Sequence, residues 1–487
     1  MRKAYSRQRR FDCSSVAQVQ LNFDCRDEIV PILAALQCVY TDHDLRRKIT
    51  MLVADDLNQD TRRDVGRTGL DDWQVVVLAA VRLGCELDYD KLQDLAENHR
   101  ALRGVLDVGD WDGQTSFHFK RIRNTLCLLQ PETLRQINHL IVEYGQQLHG
   151  EARHTVRADS FVTETDIHYP TESSLIWDGV RKIIPLCASL AEELGVGGWR
   201  QHRHLQKRIK GAARLISQIS ASKSPHVKAR LPAAYEELLE RTQQILKRAK
   251  SLAIQGENEP FSLRAMGLAK QLQHWISLVE QVCDTARRRV LLKEQVPNAD
   301  KLFSLFETHT QLYRRGKAGE PNQFGRLVLL FEDAAGFISH YHLMDRDAQD
   351  ADVIVEQTRE AQRLHGGEIE QASFDRGFHT PENAEELAKI LRHPCLPPRH
   401  PQQFAEQTAN ASVEFRRSRQ RHPGIESAIG ALQAGNGLKR CRDHSELGLA
   451  RYLGLAVLGR NLHVLGKLLI ARRDADAAAA FSKRNAA

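Results

Sequence analysis

Hydrophobic positions change their period along this chain, and the changes divide it into segments. From about residue 26 to 149, apolar residues recur three and four apart. In "DDWQVVVLAAVRLGCELDYDKLQDLAENHRALRGVL", Val76, Leu78, Ala79 and Leu83, then Leu92, Leu95 and Leu102, fall at helical spacing. "QPETLRQINHLIVEYGQQL" (130–148) repeats the signal, with Pro131 at a helix start and Gly145 near its end. Near residue 155 the period drops to two. "TVRADSFV" alternates as a strand does, with Val156, Ala158, Ser160 and Val162 on one face and Asp159 on the other. Helical spacing returns over 176–306, and then "QFGRLVLLFED" (323–333) and "GFISHYHLMD" (336–345) read as the two strands of a hairpin.

The remainder alternates helix with short extended pieces. "DADVIVEQTREAQRLHGG" is a helix stopped by Gly366 and Gly367, and "IEQASFDRGF" (369–378) is a short segment holding Asp375. "TPENAEELAKIL" starts a helix, with Thr380 as N-cap and Pro381 at the first helical position. A proline-rich loop (392–403) leads to a helix with Ile425, Ala428, Ile429 and Leu432 on one face, and a final apolar helix follows. This order predicts an α+β fold: a mixed sheet flanked by helices, an all-helical N-terminal domain, and a large helical insertion after the first strand. The expected divisions are 1–150, 151–175 (first strand), 176–306 (insertion), 307–473 (rest of the sheet domain) and a disordered Ala-rich tail, 474–487.

An acid on an apolar-patterned strand is costly to bury unless something pairs with it. Asp159 is therefore a candidate site residue, and Asp375 and Glu426 join it as acids on separate elements of the same domain. Each has a plainer explanation: an arginine partner for Asp159, a turn for Asp375 before "RGF", and a favourable helix first turn for Glu426. Taken together at one sheet edge, the three could cradle two Mg²⁺ ions about 3.5–4 Å apart, the arrangement suited to phosphodiester chemistry. His168, His340, His342 and His379 show no zinc-ligand spacing, so a hydrogen-bonded or surface role is expected for them.

Charge adds a second feature. The 487 residues carry 69 Lys and Arg against 62 Asp and Glu, a formal +7, which matters less than its distribution. From Trp199 to Leu231 there are nine cations, among them Arg200, Arg203, Lys207, Arg208, Lys210 and Arg214, and no acid. Arg203, Lys207, Lys210 and Arg214 share one helix face. That face reads either as solvated surface or as a phosphate track for double-stranded DNA. Arg416 and Arg417 lie just before Glu426, and Lys317 sits in a "RGKAG" loop; all three are candidates for neutralising phosphates. The nine cysteines are scattered without a C-x-x-C pair, which predicts reduced thiols of a cytosolic protein, not a zinc site or disulfide framework. The basic start "MRKAYSRQRRF" has no apolar run behind it, and no stretch is expected to reach the ~20 residues of a membrane span.

Beyond these patterns, "RADSFVTETDIHYPTESSLIWDGVRKII" resembles the first-aspartate block of bacterial insertion-sequence DDE transposases, closest to the ISNCY-type group. "ASFDRGFHTPENAEEL" is similar to the second-aspartate block. "HPGIESAIGALQAGNGLKRCRDHSELGLARYLGLAVLGRNL" resembles the glutamate block, and the likeness covers about 70–470 in the family's order. "CLPPRHP" departs from the family's lysine-bearing strand end. The resemblance implies an RNase H-like core, catalytic Asp159, Asp375 and Glu426 as ligands of two Mg²⁺ (or Mn²⁺), and N-terminal helices that read transposon ends. It also implies a homo-oligomer on paired ends, acting on transposon and target DNA in the bacterial cytoplasm. Two other readings stay open: a stand-alone RNase H-like nuclease, and a catalytically idle DNA-binding descendant.

Overall fold

The computed structural model describes residues 2–3, 15–58, 67–109, 115–149, 152–314 and 321–486. They form two compact units, Met1–Glu164 with Arg326–Ala487, and Thr165–Gly325.

The first unit is built on a mixed sheet of five main strands: β1 (Thr155–Thr165), β2 (Gln323–Asp333), β3 (Ile338–Leu343), β4 (Gln371–Ser373) and β5 (His393–Cys395). Their spatial order is β3–β2–β1–β4–β5, and the short strand Arg440–Cys441 also pairs with β1. β2 and β3 form the expected antiparallel hairpin, while β1–β4 and β4–β5 are parallel. Pro394 lies in the edge strand β5, where a missing N–H is tolerated. The hairpin turn is tied by Asp333, whose carboxylate accepts from the Ala335 and Phe337 amides and from Gln146 Nε2.

Helices α1 (Ile29–Thr41), α2 (His43–Asn58), α3 (Asp72–Gly84), α4 (Tyr89–Asn98), α5 (Arg100–Val105), α6 (Phe119–Leu126) and α7 (Pro131–Leu148) share one hydrophobic core with the sheet. α3 starts in a capping box of Asp71 and Gln74 and is buried on every side from Val75 to Gly84, as an all-round apolar helix must be. Its end meets the last helix so closely that a Cβ on Gly459 would lie 2.5 Å from the Gly84 Cα, so only glycine fits there.

That last helix, Glu446–Ala486, differs from two expectations. By length and composition its Glu446–Phe481 stretch could cross a membrane, but 67% of its apolar window is buried inside the protein. It is a core helix, packed against α1, α3 and α7. Its alanine-rich end, expected as a disordered tail (474–487), stays helical through 486, because alanine is the strongest helix former.

Several polar groups inside this core are paired across long stretches of chain. Asn461, fully buried, accepts from the Ile338 amide at 2.8 Å and donates to the Ile338 carbonyl at 3.1 Å and to Asn138 Oδ1 at 3.2 Å. Arg82 reaches Asp443 through two bonds, at 2.6 and 3.2 Å, with its guanidinium 4.0 Å from the Tyr89 ring centre. His340, one of the histidines without ligand spacing, is buried with Nε2 against Gln357 Oε1 at 2.9 Å.

The second unit is helical: α8 (Glu172–Glu193), α9 (His202–Ala221), α10 (Pro225–Lys228), α11 (Leu231–Glu257) and α12 (Leu263–Ala286) surround their own core. Gln311–Tyr313 pairs antiparallel with Gln323–Gly325 within it. His168 is held at 2.6 Å by the buried Asp178, which also takes Arg181 at 3.0 Å. Beyond β3 the chain continues in the first unit through α13 (Asp350–Leu364), α14 (Pro381–Ile390), α15 (Pro401–Ala409), α16 (Val413–Arg421) and α17 (Gly424–Gly435).

Two predictions concern the first unit. Asp443→Ala strands the buried Arg82 charge and should cost about 3–5 kcal/mol, whereas replacing both partners with apolar residues should restore most of that loss. Urea unfolding of the single and double variants measures this, and equal stability of the two would show the pair to be unimportant. The second prediction is a pH dependence. Burial pushes His340, His365, His422 and His463 down to about 4. The unfolded chain takes up those protons near pH 6.5, so stability is lost as pH falls from 6.5 towards 4. Asp333 opposes this: burial pushes it up to about 6, so the stability of its neutral form is lost as pH rises through 6. Four histidines outweigh one carboxyl. His340→Gln should flatten the slope by up to ~1.4 kcal/mol per pH unit, read from urea titrations between pH 5 and 7; an unchanged slope removes His340 from the account.

Candidate active site

Asp159 sits in the middle of β1, where the alternation of the strand turns it away from the buried Val156, Ala158, Ser160 and Val162. It is half-buried, and its Oδ1 accepts from the Ser160 amide at 2.7 Å. Asp375 follows β4 in extended conformation (φ −80°, ψ 165°) and is exposed, with a single 3₁₀ turn, Arg376–Phe378, behind it. The parallel register joins the two. Thr155 pairs with Gln371, Val156 with Ala372 and Arg157 with Ser373, so 371 − 155 = 216 along the ladder, and 375 − 159 is also 216. Asp159 and Asp375 lie two residues beyond the last pair of this ladder, Arg157–Ser373, at the same offset in the chain. Neighbouring strands lie about 4.8 Å apart, and residues level on parallel strands point to the same face.

Glu426 comes from α17, which follows α16 after a short turn. Three hydrogen bonds tie α17 and the turn before it to the two strands. Arg157, which shares the face of Asp159, donates to the Arg421 carbonyl at 3.0 Å. Ser373, which shares the face of Asp375, meets His422 Nδ1 at 3.1 Å. Further along, Gln433 Nε2 donates to the Val162 carbonyl of β1 at 3.4 Å. Glu426 precedes Gln433 by seven positions, two helical turns, and so lies on the same side of the helix; its side chain is exposed. Ile425, Ala428 and Leu432 are buried, as their spacing predicts.

The structure thus puts Asp159 on β1 and Asp375 just past the end of the neighbouring parallel strand β4, and ties the chain leading into α17 to both strands. It does not close the three into a cage: among the described residues, no group of three or more His, Cys, Asp or Glu is placed to hold a metal ion.

Several neighbours of the acids carry no motif. Glu332, almost fully buried, binds Arg157 Nε at 2.6 Å. Ser160 donates its hydroxyl to Asp350 Oδ1 at 2.6 Å from the opposite face of β1, bringing another carboxylate to this strand. Arg399, in the departing "CLPPRHP" segment, donates to the Gly377 carbonyl at 2.6 Å and so holds the turn behind Asp375. Strand alternation alone marks Arg157 as a neighbour of Asp159, but nothing local names the partners of any of these groups.

The basic residues divide. Lys317 lies outside the described residues. Arg416 and Arg417 are exposed on α16, one helix before Glu426. On α9, Ile209, Ala212, Ala213, Ile216 and Ile219 face the core, leaving Arg203, Lys207, Lys210 and Arg214 exposed on the other side. Arg200 and Arg208 are exposed as well. None of these six forms an ion pair among the described residues. Like charges at i,i+4 weaken a helix, and this face holds several of them without an ion pair among the described residues.

Compared with known proteins, the chain matches no family model, no curated protein and no solved structure.

Proposed function

We propose that this chain is a DNA transposase of the DDE kind, cleaving insertion-sequence ends and joining the 3′-OH to target DNA. The observation that supports the reading most is the parallel β1–β4 register: Asp159 and Asp375 lie at its offset of 216, just past its last pair, and hydrogen bonds from both strands tie the chain that leads into the helix bearing Glu426. The strand order β3–β2–β1–β4–β5, with β1, β4 and β5 parallel, supports the RNase H-like core that the sequence resemblance implies.

The donor set suits Mg²⁺ or Mn²⁺. It is all oxygen, two of its members stand on adjacent strands, and Mg²⁺ is usually held by one or two protein carboxylates with water and substrate phosphate. In this reading Asp159 and Asp375 hold the ions together and Glu426 completes the set. Bound ions would activate the attacking oxygen and stabilise the leaving one. The protein's own part is positional. β1 and β4 set the aspartate spacing, α17 brings the glutamate over them, and Arg416 and Arg417 offset the phosphate charge entering beside α17. The α9 face supplies sequence-independent attraction to the DNA backbone, and the N-terminal helices read the ends. The protein works as a homo-oligomer on paired ends in the cytoplasm.

Asp159→Ala, Asp375→Ala and Glu426→Ala should each abolish Mg²⁺-dependent strand cleavage while binding to end DNA stays within a few-fold of wild type. Cleavage by any one of them at the wild-type rate would remove that residue from the site. A separate measurement addresses α9. Replacing Arg203, Lys207, Lys210 and Arg214 with Gln should weaken binding to all duplexes alike. The slope of log affinity against log salt should fall by ~0.9 for each phosphate no longer neutralised. A slope identical to wild type would identify this face as solvated surface.

A further inference from the structure

Just before the level of the candidate acids, an arginine that no motif singles out ties α17 to the sheet. Arg157 lies two residues before Asp159 on the same face of β1, level with Ser373 of β4. Its guanidinium makes two bonds in different directions. Nε binds the carboxylate of Glu332 on β2 at 2.6 Å, with Glu332 3% exposed. Its terminal nitrogen donates to the Arg421 carbonyl at 3.0 Å, at the end of α16 and the entry to α17. The helix backbone comes down onto the same group: a Cβ at Gly424 would overlap the guanidinium, so glycine is the residue that permits the approach. Ser373 and His422 make a second tie beside it, at 3.1 Å. Glu426 follows Gly424 by two residues.

We propose that Arg157 is a positioning residue: its planar fork, braced by Glu332, sets the height of the α17 start over β1 and thereby presents Glu426 to the Asp159–Asp375 pair. The proposal rests on the reading of those three acids as one site. A rigid fork is needed because the two acceptors lie in different directions, and a guanidinium serves both from one fixed plane. A lysine ammonium at the same position keeps the charge opposite Glu332 but reaches from a flexible stem, and it cannot brace the carbonyl in the same way. Removing the cation bonded to the buried Glu332 would be destabilising, so the charge-keeping variant separates position from stability.

The test uses the full-length chain carrying Arg157→Lys, with Gly424→Ala as an independent push on the same interaction from the helix side. Hydrogen exchange followed by mass spectrometry reads peptides covering 421–430, and DNA cleavage with Mg²⁺ is measured beside DNA affinity. Both variants should keep the wild-type melting temperature within a few degrees and the wild-type affinity for DNA. Both should exchange faster at 421–430 with the other peptides unchanged, and lose about 100-fold in cleavage rate at saturating DNA, the scale of a 1 Å misplacement. Wild-type exchange at 421–430 in Arg157→Lys overturns the proposal, as does a wild-type cleavage rate in the presence of faster exchange. If the unaltered protein does not cleave DNA at all, the transposase reading fails and the presentation of Glu426 to a shared site fails with it. Slower cleavage by Arg157→Lys without altered exchange leaves the transposase reading standing and rejects Arg157 as the positioner.

Discussion

The parallel pairing of β1 with β4 is the constraint on which the candidate site depends. It joins segments 216 residues apart. It brings the segments of Asp159 and Asp375 side by side, and the turn into α17 is tied to one strand by Arg157 and to the other by Ser373. Parallel strands require a crossover, and here the returning chain passes through the helical second unit, the β2–β3 hairpin and α13 before β4 forms. Such a pairing is entropically costly to form and must be held by what packs around it. The apolar faces of β1 and its neighbours, buried nearly to completion, supply that stabilisation.

Within this apolar frame the polar groups are few and specific. Arg82 with Asp443, Arg157 with Glu332, and Asn461 with both polar atoms of Ile338 each join segments more than 100 residues apart. Each pairs a buried group that would be expensive to leave unsatisfied. They add little net energy compared with apolar burial, since desolvation cancels much of the attraction. Their effect is to make misregistered packings costly: a slip at β1 would break the ion pair of the buried Glu332 with Arg157. The candidate acids differ from all of these. Asp375 and Glu426 are exposed, and their chain positions are set by neighbours, which is the arrangement expected of groups that bind something else.

The second unit shows a different division of labour. Its helices satisfy their own core, and α9 buries one face while presenting cations without acidic partners on the other. Nearby cations are neutralised inside the same unit, as with Arg289 and Glu172, Lys250 and Glu280, or Arg288 and its three acids. Against those pairs the α9 face differs in that several of its cations stand together on one face without an ion pair among the described residues.

Local periodicity was enough to place most elements. Alternation marks β1 and turns Asp159 away from the core, the hairpin strands fall where their apolar runs lie, and Thr380 with Pro381 starts a helix whose cap bond forms as those residue types predict. These properties depend on residues two to four apart, which a linear pattern contains. The one-sided charge of α9 is legible for the same reason. Other features depend on residues far apart and were decided only by the tertiary structure. The apolar final helix becomes a core helix because α1, α3 and α7 cover it, and its alanine end continues as helix because nothing stops it. The fork of Arg157 and the brace of Glu332 have no signature in spacing, since the partners of Arg157 are 175 and 264 positions away. Three acids can be picked from the sequence as candidates; that the segments of two of them lie on neighbouring parallel strands is a property of strand pairing, which only the packing of the whole sheet determines.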